Sequence, residues 1–199
     1  QRQRHLRVGN SISFFTIERI PIRVNLLPQR QHQRGNVFMA KSVTFIDTEV
    51  GVDDHKIHDI GAIRQDRASF HAANIREFAA FVEGTEYICG HNILHHDLKY
   101  LQNALGYELP AIKIDTLYLS PLLFPKRPYH ALLKDDKLQS DQLNDPVNDC
   151  KKAATLFYDE VNAFFELPSK VKQIFCCLLY DHPEFHGFFR YVNFRPYHV

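Results

Sequence analysis

Apolar and polar positions alternate along Ser42–Val50 (SVTFIDTEV), which predicts a β-strand with Val43, Phe45, Asp47 and Glu49 on one face. Ile57–Gln65 and Ala68–Ala73 read as two further strands joined by the short polar turn Asp66-Arg67. From Asn74 the period changes. Ile75, Phe78, Ala79 and Val82 recur at helical spacing between a capping asparagine and Gly84. Tyr87–Gly90 predicts a short strand, and His95–Leu105 a helix stopped by Gly106. Asp115–Phe124 and His130–Leu138 read as two shorter helices separated by Pro125 and Pro128. Asp145–Glu166 is the longest helical pattern, with Val147, Cys150, Ala154, Phe157, Val161 and Phe164 on its apolar face. After the break at Pro168 a helix runs to Tyr180, and Pro183–Val192 forms a last aromatic helix. The order β-β-β-α-β-α-α-α predicts an α/β fold in which helices flank a mixed sheet.

Composition narrows the class. The 199 residues are 45% hydrophobic and 24% charged, enough for one packed domain, and no apolar run reaches the roughly 18 residues of a membrane span. The expectation of no membrane partner follows from that; the four cysteines (Cys89, Cys150, Cys176, Cys177) form no CxxC pair and no disulfide-like framework, so a reducing, cytoplasmic setting is expected. The formal net charge of +1 conceals an asymmetry. Residues 1–38 hold seven arginines and one glutamate, a balance of +6, against 17 basic and 22 acidic residues in the remainder, or −5. Met39, the single methionine, stands at this boundary. Residues 1–38 therefore read as a non-native or upstream leader, with a basic nucleic-acid arm as the alternative. Residues 39–166 read as the main domain and 167–199 as a C-terminal helical extension whose Phe175, Leu178, Phe185, Phe188, Phe189 and Tyr191 are expected to be exposed or half-packed.

Three segments carry candidate chemistry. Asp47 and Glu49 share one face of a strand with apolar neighbours, where two ionised carboxylates repel unless a cation compensates them. Hard divalent ions with oxygen ligands, Mg²⁺ above all, are the natural compensation. The alternative is a strand end that has emerged into solvent. In Gly90–Leu101 (GHNILHHDLKYL) a strand ends in a Gly-His-Asn turn and a helix opens with Asp97 in its first turn. The helix N-terminus alone stabilises an acid there by about 0.3–1 kcal/mol. His91 and His95 lie four apart, but no third ligand follows at a zinc-like spacing. Asn144–Asp149 (NDPVND) opens the long helix, with Pro146 suited to its first turn and Asp149 at the edge of the apolar stripe.

Taken together, these segments resemble the DEDD 3′-to-5′ exonuclease family, which includes the proofreading epsilon subunit of bacterial DNA polymerase III. FIDTEVG is similar to the first motif, GHNILHHDLKYL to the second and NDPVNDCKKAATLF to the third, while IDTLYLSPLLFP resembles the segment between the last two. The resemblance covers about 41–165. It implies a ribonuclease-H-like fold, with antiparallel first strands, in which Asp47, Glu49, Asp97 and Asp149 hold two Mg²⁺ or Mn²⁺ ions. It also implies that Thr48, Val50 and Gly51 line the terminal nucleotide, with His91 and Asn92 at the site wall.

One position departs from the pattern. Where one branch of the family has a histidine base five residues before the last aspartate, this chain has Asn144, and where the other has tyrosine it has Asp145. Asparagine orients water but accepts no proton near neutral pH. The metals alone would then generate the nucleophile, with a loss of about 10²–10⁴-fold; or His130 would swing in; or the domain binds 3′ ends without cutting. The expected activity is metal-dependent hydrolysis at the 3′ end of single-stranded DNA or RNA. The alternative is a weak or inactive module that binds such ends for a larger repair or replication protein, with a helicase or polymerase module in cis or in trans. Pro125–Pro128 (PKRP) and Lys151-Lys152 are the basic groups placed to touch phosphates.

Overall fold

The computed structural model describes residues 41–132 and 145–196. The chain divides between Phe38 and Met39. In order, the elements are β1 (Val43–Val50), β2 (Ile57–Arg64), β3 (Ser69–His71), α1 (Ile75–Val82), β4 (Tyr87–Gly90), α2 (Asp97–Leu105) and β5 (Ile112–Asp115). Four helices complete the described residues: α3 (Thr116–Leu123), α4 (Pro146–Glu166), α5 (Ser169–Leu179) and α6 (Pro183–Tyr191). The protein is α/β, with a five-stranded mixed sheet of order β3-β2-β1-β4-β5. The β1–β2 and β2–β3 pairs are antiparallel, while β4 runs parallel to both β1 and β5.

Side-chain alternation along β1 divides the interior into two layers. Val43 and Phe45 face a core completed by Cys89, Ile114, Cys150, Phe157, Phe164, Phe188 and Phe189. Ile46, with Ile60 and Ile88, faces the other way onto Phe78 of α1 and Leu101 of α2. Burying such side chains is the main term that holds each layer to the sheet, about 1.5–3 kcal/mol for each one fully removed from water.

The helix ends follow from local chemistry. The Asn74 side chain accepts hydrogen bonds from the N–H groups of Arg76 and Glu77 and so caps α1. Gly106, at φ +77, closes α2 in the left-handed conformation that costs glycine nothing. Asp145 accepts from Val147 N–H and places Pro146 in the first turn of α4, where a missing donor does no harm.

Three expectations change. Strand β5 was not anticipated: only four residues long, it runs straight into Asp115, which caps α3 by accepting from Leu117 N–H. His130–Leu132 are not helical, and the rest of the helix expected over His130–Leu138 lies outside the described residues. In the C-terminal segment Phe188 and Phe189 are each 1% exposed, because α6 packs into the core shared with Phe164 instead of lying outside it. Leu178 is exposed as expected. Among the described residues no helix is long and apolar enough to cross a membrane.

Candidate metal centre

The centre is built at the end of β1. Val43 and Phe45 anchor the strand in the core, and two residues further along the same face Asp47 is half-buried, as is Glu49 beyond it. The pairing with β2 shifts register between Glu49 and Val50, a bulge of the kind that re-aims side chains at a sheet edge or site. Helix α4 brings the third acid. Asp47 pairs across the ladder with Gly61, and a Cβ at Gly61 would lie 2.4 Å from Pro146 C and 2.6 Å from Val147 N. Only a residue without a side chain lets the first turn of α4 sit so close to β2, and that approach carries Asp149 to the strand. Carboxylate oxygens of Asp47, Glu49 and Asp149 all lie within 4.8 Å of one another, the one group of three or more potential ligands among the described residues. Lys152 Nζ donates to Asp149 Oδ1 over 3.2 Å.

Asp97 arrives from the opposite layer. It opens α2, is 2% exposed, and its Oδ1 accepts two hydrogen bonds of 2.7 Å, from the backbone N–H and the hydroxyl of Thr48. Thr48 lies between Asp47 and Glu49, so these bonds tie Asp97 to the strand that carries the other acids. Asp97 stands beside the trio and is not a member of it. Cys150 registers three of the four: burial pushes its thiol well up, and Asp47, Asp97 and Asp149 push the same way. On the outer side, Asp97 Oδ2 is 3.7 Å from His96 Nδ1 and holds that imidazole above its ordinary pKa.

The β4–α2 junction is fixed by Asp115, whose buried carboxylate accepts from the N–H groups of Asn92, Leu94 and Leu117. Asn92 takes φ +65, which asparagine tolerates better than most residues. Thr116 Oγ1 donates to Gly90 O and lies 2.8 Å from His91 Nδ1. A hydroxyl has one proton, so Thr116 accepts from His91 Nδ1–H, and the lone pair is left on Nε2. That Nε2 is buried with no hydrogen-bond partner among the described residues. Burial lowers the His91 pKa, against opposing pulls from Asp149 and Asp97, so the ring is a neutral acceptor within the field of the acids.

The remaining expected site residues are dispersed. Thr48 directs both its amide and its hydroxyl to Asp97. Val50 is half-buried at the bulge, and Gly51 opens the turn to β2 by donating its N–H to Lys56 O. His130 Nδ1 lies 2.9 Å from Ser120 Oγ, outside the acidic group. Asn144 lies outside the described residues. Two positions on which the geometry depends, Gly61 and Asp115, were not singled out in the sequence. Their only signals there were a glycine inside a strand pattern and an acid directly before a helix.

Three half-buried carboxylates within one coordination sphere are hard oxygen donors, and this donor set fits a divalent cation such as Mg²⁺, Ca²⁺ or Mn²⁺. No protein-family model matches the chain, and no curated protein matches it. Among solved structures, the family B DNA polymerase from the hyperthermophilic archaeon Pyrobaculum calidifontis is similar at 18% identity, with a TM-score of 0.37. The match covers 77% of this chain and 23% of the polymerase chain. So loose a likeness assigns neither fold family nor activity, and the reading below rests on the geometry of the acids.

Proposed function

We propose that the protein is a metal-dependent 3′-to-5′ exonuclease of ribonuclease-H-like fold, hydrolysing phosphodiester bonds at the end of single-stranded DNA or RNA. One observation carries the reading: Asp149, remote in sequence from Asp47 and Glu49, converges with them within 4.8 Å, and Asp97 is hydrogen-bonded to the residue between those two. The mixed sheet, antiparallel over its first three strands, supports the fold assignment. Phosphodiester hydrolysis needs charge stabilised on the attacking and the leaving oxygen, and divalent ions held by these acids would supply that stabilisation.

The protein's own part is positional. Asp47, Glu49 and Asp149 hold the cation site, with Asp97 as the fourth ligand. Thr48 keeps Asp97 in place beside the others by two hydrogen bonds to its Oδ1. Lys152 donates to Asp149 and balances part of the acidic charge. With asparagine at position 144, no histidine base stands there. His91 Nε2, without a hydrogen-bond partner among the described residues, is the acceptor in the field of the acids that can orient the attacking water.

The test is a 5′-labelled single-stranded oligonucleotide incubated with Mg²⁺ or Mn²⁺. Stepwise shortening from the 3′ end, abolished by EDTA and by Asp47→Ala, is the expected result. Binding without shortening would identify a module that holds 3′ ends for a larger protein. Absence of binding, shortening and metal affinity would overturn both readings.

A further inference from the structure

A cleft of about 620 Å³ lies between α4 and the segment that follows α3, lined by Ser120, Arg127, Tyr129, His130, Lys152 and Leu156 among others. We propose that this cleft is the groove for the single-stranded chain whose 3′ end reaches the acidic centre, with Arg127 and Lys152 on phosphates and Tyr129 stacked on a base. The proposal rests on the nuclease reading and adds the path of the strand.

Continuity with the centre comes first. Lys152 lines the cleft and also donates to Asp149, so one side chain belongs to both places. A strand leaving the acids on this side meets Lys152 at once. The second argument is the build of the loop. Pro125 and Pro128 bracket Lys126-Arg127, and Arg127 N–H closes a turn on Phe124 O. The Arg127 guanidinium lies 3.8 Å over the Phe124 ring, which fixes its plane without using its donors. At the far end His130 is joined to Ser120, a residue buried in α3. The loop is therefore tethered at both ends, and little order has to be imposed when a ligand arrives.

The third argument is Tyr129, 78% exposed on this tethered loop. A large aromatic held in water contributes nothing to the core, yet it is the side chain on which an unpaired base stacks. Cationic groups along a cleft with an exposed aromatic match a single-stranded polyanion; a duplex keeps its base faces covered. Asp159, the acid in the lining, lies on α4 about two turns beyond Lys152 and marks the end away from the centre.

Two substrates separate the groove from the chemistry: a ten-nucleotide single strand and the p-nitrophenyl ester of thymidine 5′-phosphate, which is too short to occupy the cleft. Arg127→Ala and Tyr129→Ala are exposed changes, and thermal melts verify their fold. Each is expected to lower the ratio of kcat/KM on the oligonucleotide to that on the ester by about tenfold, mostly through KM, as loss of one stacked base or phosphate contact predicts. Fluorescence anisotropy of the labelled strand in EDTA gives a readout independent of turnover, and the same variants are expected to weaken it. Unchanged ratios and unchanged anisotropy in both variants would overturn the groove while the nuclease reading stands. If the wild type hydrolyses neither substrate, the nuclease reading fails and anisotropy alone decides: weakened binding in the variants retains the groove, and unaltered or absent binding removes it. Preference for duplex over single strand, or for an acidic peptide, also overturns it.

Discussion

Helix α4 carries two acids about three turns apart, Asp149 and Glu160, in opposite circumstances. Asp149 is half-buried within 4.8 Å of Asp47 and Glu49 and is paired with Lys152. Glu160 is wholly buried, and neither carboxylate oxygen has a hydrogen-bond partner among the described residues. Burial pushes the Glu160 pKa up to about 9; Asp115 adds to the rise and Arg127 opposes it. A lone acid in an apolar layer meets desolvation by keeping its proton. Three acids gathered at an open strand end make a ligand set instead. Asp115 shows a third solution: it too is raised by burial, but three backbone N–H groups satisfy its oxygens, and its task is to hold a junction. Burial of an acid therefore does not identify function here; the company of other acids does.

The comparison breaks most sharply under substitution of its two ends. Asp149→Ala is expected to reduce nucleotide release on the order of 10³-fold or more while leaving the melting temperature in EDTA nearly unchanged, since it removes a ligand and relieves repulsion. Glu160→Gln is expected to do the converse. The folded chain keeps the Glu160 proton until about pH 9, whereas the unfolded chain releases it near the ordinary glutamate value. Stability is thus full below that ordinary value and falls as pH rises through the folded pKa, with a slope of about 1.4 kcal/mol per pH unit from this one group. Glu160→Gln should flatten that slope in denaturant titrations at pH 5 to 9 without altering nucleotide release. An unaltered slope would show that Glu160 is ionised in the fold.

A smaller effect is expected at Gly61. Gly61→Ala sets a methyl against the backbone of Pro146 and Val147, which cannot yield as a side-chain end could. A stability loss of about 1–3 kcal/mol is expected, together with weaker metal binding because Asp149 moves with the helix. Stability loss with metal affinity intact would mean that α4 pivots about some other point. The smallest change is Thr48→Val, which keeps the shape and deletes one of the two bonds to Asp97. About tenfold weaker Mn²⁺ binding is expected, within the range usual for groups that orient ligands.

The sequence made much of this legible where a period or a cap repeats a physical rule. Alternation along β1 put Asp47 and Glu49 on the face of Val43 and Phe45, and the first turn of α4 has the Asp145 cap and Pro146 that its sequence implies. What escaped were features without a period. Strand β5 is too short to alternate, and its last residue is already a helix cap. The burial of Phe188 and Phe189 could not be separated from exposure by an aromatic-rich pattern that offers apolar side chains on several sides. Gly61 serves a contact with a helix some eighty-five residues later, and nothing local to a strand encodes so distant a neighbour.

The central claim is that remote acids form one cation site, and a calorimetric titration of Mn²⁺ into the metal-free chain tests it most directly. Saturable binding of two ions per chain is predicted, lost in Asp47→Ala and in Asp149→Ala and retained in Glu160→Gln. Absence of binding by the wild type, or binding that survives both aspartate substitutions, would contradict it.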